Sequence, residues 1–280
     1  MREAASRQGA FIVNMASTGC GKTLANARIM NALADPSRGL RCAFALGLRT
    51  LTLQTGRAFR DELQLSDDAL AIRVGGAANR ELFEHYEQLA EQSGSASTQA
   101  LLPKDAGVIY EGNIAHPLLQ RLSHDPRIHK LLAAPLLVCT IDHLIPATER
   151  QRRGGQIAPM LRLLSGDLVL DEPDDFDIDD LPALTRLVHW AGLLGSRVLL
   201  SSATLPPALV QGLFEAYLDG RRWFQRNRGE RPGAAPAVCC MWVDEFDQTR
   251  HDCGDGNSFS ERQLDLARHR HARLDKEAAR

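Results

Sequence analysis

The chain has 280 residues, which at about 150 per domain allows one or two domains. Its 44% hydrophobic and 24% charged residues suit a globular chain, and a net charge of −2 excludes a globally basic nucleic-acid coat while leaving room for a local basic groove. No run reaches the roughly 18 apolar residues of a membrane span, and Met1–Gln8 lacks the apolar stretch of a secretory signal.

Short, near-continuous apolar runs mark buried strands at 11–15, 41–46, 69–74, 136–140, 167–171 and 197–201, with 237–243 as a further candidate. Helical stretches alternate with them at 22–34, 51–63, 79–92 and 180–194, and Asp35-Pro36-Ser37-Arg38-Gly39 stops the first. Alternation of this kind predicts an α/β, doubly wound, mostly parallel sheet. Residues 93–98 read as a polar loop, about 93–132 as an insertion of weak periodicity, and 150–155 as a basic, glycine-containing loop. Past about Asp219 the apolar density falls. Residues 226–236 read as a linker and 260–280 as a charged, solvated helix or frayed tail. The expected division is a lobe over 1–220 followed by a linker, extra strand and tail over 221–280.

Three motifs carry chemistry. ASTGCGKT at 16–23 follows an apolar strand and opens a helix, the setting of a phosphate-binding loop. Ser17, Thr18, Gly19, Cys20 and Gly21 supply backbone N–H groups to phosphate oxygens, the glycines allowing them to converge. Lys22 faces the β and γ phosphates, and Thr23 offers a hydroxyl to Mg²⁺. Ala16 stands where the general pattern has glycine. The bland rival is a glycine-rich turn that binds nothing.

DLVLDE at 167–172 ends an apolar strand in two carboxylates, so Asp171 would hold Mg²⁺ and Glu172 would polarise the attacking water. Residues 171–180 contain seven carboxylates, which makes an acidic surface a fair rival for the later ones. Asp175, Asp177 and Asp179 have the spacing of a calcium loop, but the next glycine is absent and Arg186 replaces the bidentate glutamate, so calcium is rejected. The third motif is SSAT at 201–204, weak alone because Ser and Thr commonly form turns at strand ends. In this order the three give the layout of a superfamily 2 helicase motor.

Six cysteines contain no C-x-x-C pair, which reads as a reduced, cytoplasmic protein. His251, Cys253 and the Cys239-Cys240 pair match no zinc spacing.

The stretches NMASTGCGKTLANAR (14–28), GLRTLTLQT (47–55), VCTIDH (138–143), DEPDD (171–175) and RVLLSSATLPP (197–207) closely resemble the helicase–nuclease of type I CRISPR systems, with wording nearest subtype I-F. The resemblance runs from about Gly9 to about Val243. It implies a RecA-like lobe of an ATP-driven, single-stranded DNA translocase of antiviral defence, recruited by a crRNA-guided surveillance complex. It implies nucleotide roles for Gly19, Gly21, Lys22 and Thr23, and metal and water roles for Asp171 and Glu172. Ser202 and Thr204 would couple hydrolysis to movement. Arg49, Thr50, Gln54 and Thr140 would grip the DNA backbone, a contact that positions a strand without reading its sequence. Arg150, Arg152 and Arg153 would add electrostatic attraction.

The family also carries an HD nuclease, an upstream adenine-reading glutamine motif and a second lobe with an arginine finger. None is expected in this sequence. His124-Asp125 and His251-Asp252 contain the nuclease dipeptide without supporting ligands, and no Q-x-x-G-R-x-x-R follows Thr204. The expectation is a first motor lobe, with an RNA helicase lobe and an inactive nucleotide- or DNA-binding remnant as rivals. A small-molecule P-loop kinase is disfavoured, because S-A-T and the arginine motif at 47–55 have no role in one.

Overall fold

In a computed structural model of the chain, the structure describes residues 2–66, 69–74, 132–149, 156–229 and 232–278. The expected helix at 79–92, the insertion up to 131, the basic loop at 150–155 and His124-Asp125 lie outside the described residues.

Eight strands form one sheet. In chain order they are β1 (Ala10–Asn14), β2 (Cys42–Leu46), β3 (Leu70–Arg73), β4 (Leu136–Thr140), β5 (Asp167–Asp171), β6 (Val198–Ser201), β7 (Val238–Val243) and β8 (Gln248–Cys253). They lie side by side as β3-β4-β2-β5-β6-β1-β7-β8. All neighbours are parallel except β7 and β8, which form an antiparallel edge pair. This is the α/β, mostly parallel architecture that the alternating runs predict, and the RecA-like lobe that the resemblance implies.

Helices cover both faces, which is why β1, β2, β4 and β5 are buried along their whole length. On one face α1 (Arg2–Gln8), α2 (Lys22–Leu33) and α3 (Arg49–Glu62) cover Ile12, Phe44, Val169 and Leu199. On the other, α4 (Ile157–Ser165), α5 (Leu181–Leu194), α6 (Pro207–Arg228) and α7 (Gly256–Ala278) cover Phe11, Leu170, Leu200 and Trp242. Aromatic rings concentrate there: Phe214 stacks on Phe259 at 4.2 Å between centroids, with Phe11 and Trp242 against the pair. Among the described residues no helix is long and apolar enough to cross a membrane.

The C-terminal portion differs most from expectation. The division at residue 220 falls inside α6, and the expected linker at 226–236 begins as its last turn. Gly220 sits where the helix meets α5, not where it stops: a Cβ there would lie 2.1 Å from the His189 carbonyl oxygen. Beyond it, β7 joins the sheet beside β1, and β8, which the sequence did not suggest, pairs on the edge. Helix α7 is not wholly solvated. Phe259, Gln263 and Leu266 are buried at spacings of three and four, and Trp242 Nε1 donates to Gln263 Oε1 at 2.6 Å.

Candidate nucleotide-binding site

Strand register brings the motif residues into one row. Val243 pairs with Asn14, Asn14 with Ser201, Ser201 with Asp171, Asp171 with Leu46, and Leu46 with Thr140. Every one of these lies at the C-terminal end of its strand, the edge where open α/β sheets bind ligands.

The phosphate loop leaves β1 there and turns into α2. Gly19 and Gly21 have φ of 84° and 77°, a left-handed backbone that favours glycine. A Cβ at either would meet nothing within 4 Å, so the hollow beside the loop is open. Cys20 N–H donates to the Ser17 carbonyl at 3.3 Å and closes the turn. Thr18 and Cys20 are exposed, and Thr23 lies in the first turn of α2, which carries no acidic residue to offset the positive helix end.

Lys22 opens α2. Its Nζ is 3.0 Å from Glu172 Oε1, with side-chain exposures of 10% and 28%. The contact is an ion pair without hydrogen-bond alignment, so the buried ammonium still has donors to give. Glu172 itself has φ 50° and ψ 57°, a left-handed conformation costly for a non-glycine residue. Its N–H donates to the Ser201 carbonyl at 2.7 Å, which fixes that turn.

Asp171 is 8% exposed. Burial raises its carboxyl to about 6, against the opposing pull of the Ser201 hydroxyl. A buried carboxylate held above its usual range is one that a cation would stabilise. Behind the loop, Asn14 Nδ2 donates to Asn26 Oδ1 at 2.7 Å, joining β1 to α2.

The S-A-T loop joins the same edge. Ser202 N–H donates to the Asn14 carbonyl at 3.2 Å, and Thr204 N–H donates to Ser202 Oγ at 3.3 Å. Thr204 Oγ1 donates to Asp174 Oδ2 at 3.0 Å, which ties S-A-T to the loop after Asp171-Glu172. The other predicted residues stand further along the edge. Arg49 is the first residue of α3, and Thr50 and Gln54 follow it on the exposed side. Thr140 differs in kind: it is 1% exposed and its hydroxyl has no partner among the described residues.

Two site residues escaped the sequence reading. Glu245, in the turn between β7 and β8, accepts from Ser17 Oγ at 2.5 Å and from Arg270 Nε at 3.0 Å. Burial works to raise the Glu245 carboxyl, but the bonds from Arg270 and Ser17 outweigh it and hold the group at about 2. Nothing in the sequence marks either, since an arginine on a charged helix looks the same solvated or buried.

Of the remaining candidates, Cys240 and Cys253 meet through their thiols, but among the described residues no three His, Cys, Asp or Glu side chains gather to hold a metal. Cys239 and Cys240 point to opposite faces of the sheet and join different cores, so they cannot share a metal. His251 lies beside the Trp242 ring, and Asp252 pairs with Arg250 at 3.1 Å.

No family model matches the chain. It is 59% identical over 275 residues to the CRISPR-associated nuclease/helicase Cas3 subtype I-F/YPEST of Pseudomonas aeruginosa (strain UCBPP-PA14), covering 98% of this chain and 26% of that relative. Its identity to the protein of the same description from Pectobacterium atrosepticum is 54% over 266 residues, covering 92% of this chain and 24% of the relative. Among solved structures, T. fusca Cas3–ATP superposes with a TM-score of 0.56 at 20% identity, over 89% of this chain and 25% of that one, a likeness of fold. The chain thus spans about a quarter of the length of its curated relatives, and over that quarter its sequence is similar to the Cas3 nuclease/helicases of subtype I-F/YPEST.

Proposed function

We propose that this chain is the ATP-binding lobe of a DNA translocase, and that it works in DNA-dependent ATP hydrolysis when a second lobe closes over the site. The observation that carries this reading is the row at the sheet edge, in which Asp171 and Ser201 stand side by side next to the phosphate loop and the Lys22–Glu172 pair. The residues fit the group. Lys22 has a buried ammonium without a hydrogen-bond partner among the described residues, the loop glycines face open space, and Asp171 is a buried carboxyl. The T. fusca Cas3–ATP and Cas3–AMPPNP structures, similar in fold, support the choice of nucleotide.

In this mechanism the loop N–H groups and the positive end of α2 hold the phosphates, and Lys22 turns from Glu172 to the β and γ oxygens. Asp171 and the Thr23 hydroxyl would hold Mg²⁺, which would offset charge on the phosphates. Glu172, freed from Lys22, takes the proton of the attacking water. Thr204 and Asp174 carry the change to the S-A-T loop, and Ser202 carries it to β1. Arg49, Thr50 and Gln54 lie along one edge where a strand of nucleic acid would run, its phosphates held without base readout, while buried Thr140 shapes the strand end beneath them. The family resemblance supports single-stranded DNA and a crRNA-guided surveillance complex as partners.

Phosphate release tests the reading. The chain is measured alone and with the remaining part of its I-F relative supplied in trans, each with single-stranded DNA or RNA. An arginine finger from a second lobe contributes about 10³–10⁵ in rate, so the chain alone should turn over slowly and the completed protein quickly, with DNA the better stimulant. Glu172→Gln should abolish the gain. No turnover in the completed protein would leave a nucleotide-binding remnant, and preference for RNA would favour an RNA helicase lobe.

A further inference from the structure

Helix α7 presents Phe259, Gln263 and Leu266 inward, and Arg270 continues that stripe one turn later as its sole charged member. The guanidinium meets three separate segments. Nε and Nη2 donate to the two oxygens of Glu245 at 3.0 and 3.2 Å, Nη2 donates to Ser17 Oγ at 3.0 Å, and Nη1 reaches the Ala203 carbonyl at 3.5 Å. The Arg270 and Glu245 side chains are 13% and 11% exposed, so this is a sheltered fork, not a surface pair.

Ser17 is the second residue of the phosphate loop, and its carbonyl accepts the bond that closes the loop's turn. Its hydroxyl gives its proton to Glu245 and accepts from Arg270. The loop is therefore fixed from outside, by a helix remote in sequence, before any nucleotide arrives. The S-A-T loop shares that anchor through Ala203.

We propose that Arg270 is a positioning residue of the nucleotide site, acting through Ser17 to preorganise the phosphate loop and to make α7 responsive to its occupancy. A loop already held in shape does not spend binding energy on ordering itself. Linkage makes the effect reciprocal: if the Arg270–Ser17 contact tightens nucleotide binding by some factor, bound nucleotide tightens that contact by the same factor. Occupancy of the loop is then felt on α7. This rests on the nucleotide reading above.

The test is titration calorimetry with Mg²⁺ and a non-hydrolysable ATP analogue on the wild type, Ser17→Ala, Arg270→Ala, Arg270→Lys and the Ser17→Ala/Arg270→Ala double variant. Melting temperatures without nucleotide check folding. Arg270→Ala should weaken binding about five- to tenfold, and Arg270→Lys should recover part of the loss. The double variant should bind no worse than Ser17→Ala. Hydrogen exchange should show added protection of α7 on binding in the wild type and none in Ser17→Ala. Wild-type affinity in a folded Arg270→Ala, or the same further loss in the Ser17→Ala background, would mean that Arg270 merely ties α7 down. If Arg270→Ala does not fold, Glu245→Gln takes its place under the same criterion. Lys22→Ala separates the two levels: a site that needs Lys22 but ignores Arg270 sinks this inference alone, and a site indifferent to Lys22 sinks the nucleotide reading with it.

Discussion

Lys22 and Glu172 hold each other across the hollow, Nζ to Oε1 at 3.0 Å, so the proposed phosphate-binding cation is paired with the proposed water-polarising base. In the proposed mechanism phosphate oxygens compete with Glu172 for the Lys22 ammonium. The pair thus competes with binding and keeps the base occupied while the site is empty.

Glu172→Gln should therefore separate binding from hydrolysis. Removing the charge frees Lys22, and a partly exposed ion pair is worth about 0.2–1 kcal/mol, so affinity for the ATP analogue should rise up to about fivefold. Turnover should be lost. Calorimetry and phosphate release on the same preparation check both halves, and weaker binding would contradict the competition.

Asp171→Asn should stabilise the fold. Among the described residues the buried carboxylate forms no salt bridge with an Arg or Lys, and its burial outweighs the Ser201 bond and the attraction of Lys22. An amide of the same shape removes the charge, and the gain should be on the order of 1–2 kcal/mol, or a rise of several degrees in Tm. Mg²⁺-dependent tightening of nucleotide binding should disappear. A lower Tm would show that the charge is already compensated.

The sheet and its active edge were legible because each strand is a near-continuous apolar run and each motif sits where a run ends. Asp171, Ser201 and Asn14 could be placed by that rule alone. In the C-terminal third the strands at 198–201 and 238–243 and the last helix were legible, but β8 and the packing were not. Its contacts depend on partners far away in sequence, as in Arg270 with Ser17, and the fall in apolar density past Asp219 hides the second half of helix α6. Gly220 is a packing contact, and no local pattern distinguishes it from Gly212, which faces open space.

Those two glycines should respond in opposite directions. Gly220→Ala drives a Cβ into the His189 carbonyl at 2.1 Å and the Leu193 nitrogen at 2.7 Å, so α5 and α6 must part. Overpacking of this kind costs about 1–3 kcal/mol or more, and Tm should fall by about 5 °C or more. Gly212→Ala, within the same helix, meets nothing within 4 Å and should stabilise by roughly 0.5–1 kcal/mol. Thermal melts of the two variants check the contrast.

Acid should undo the Glu245 fork. Its carboxyl falls from 4.5 to about 2 on folding, so the stability it contributes is present above about 4.5 and lost as pH drops through about 2. The contribution is on the order of 2–3 kcal/mol. Urea midpoints measured across that window should fall less steeply for Glu245→Gln than for the wild type. Equal slopes would show that Glu245 is not held by Arg270 in solution.

The account stands on Lys22 as the phosphate-binding cation of an open loop, and titration calorimetry with Mg²⁺ and a non-hydrolysable ATP analogue tests that most directly. Loss of a charge-assisted contact worth roughly 1.5–3 kcal/mol should weaken binding by Lys22→Ala on the order of tenfold or more. Equal affinity in the wild type and Lys22→Ala would contradict it.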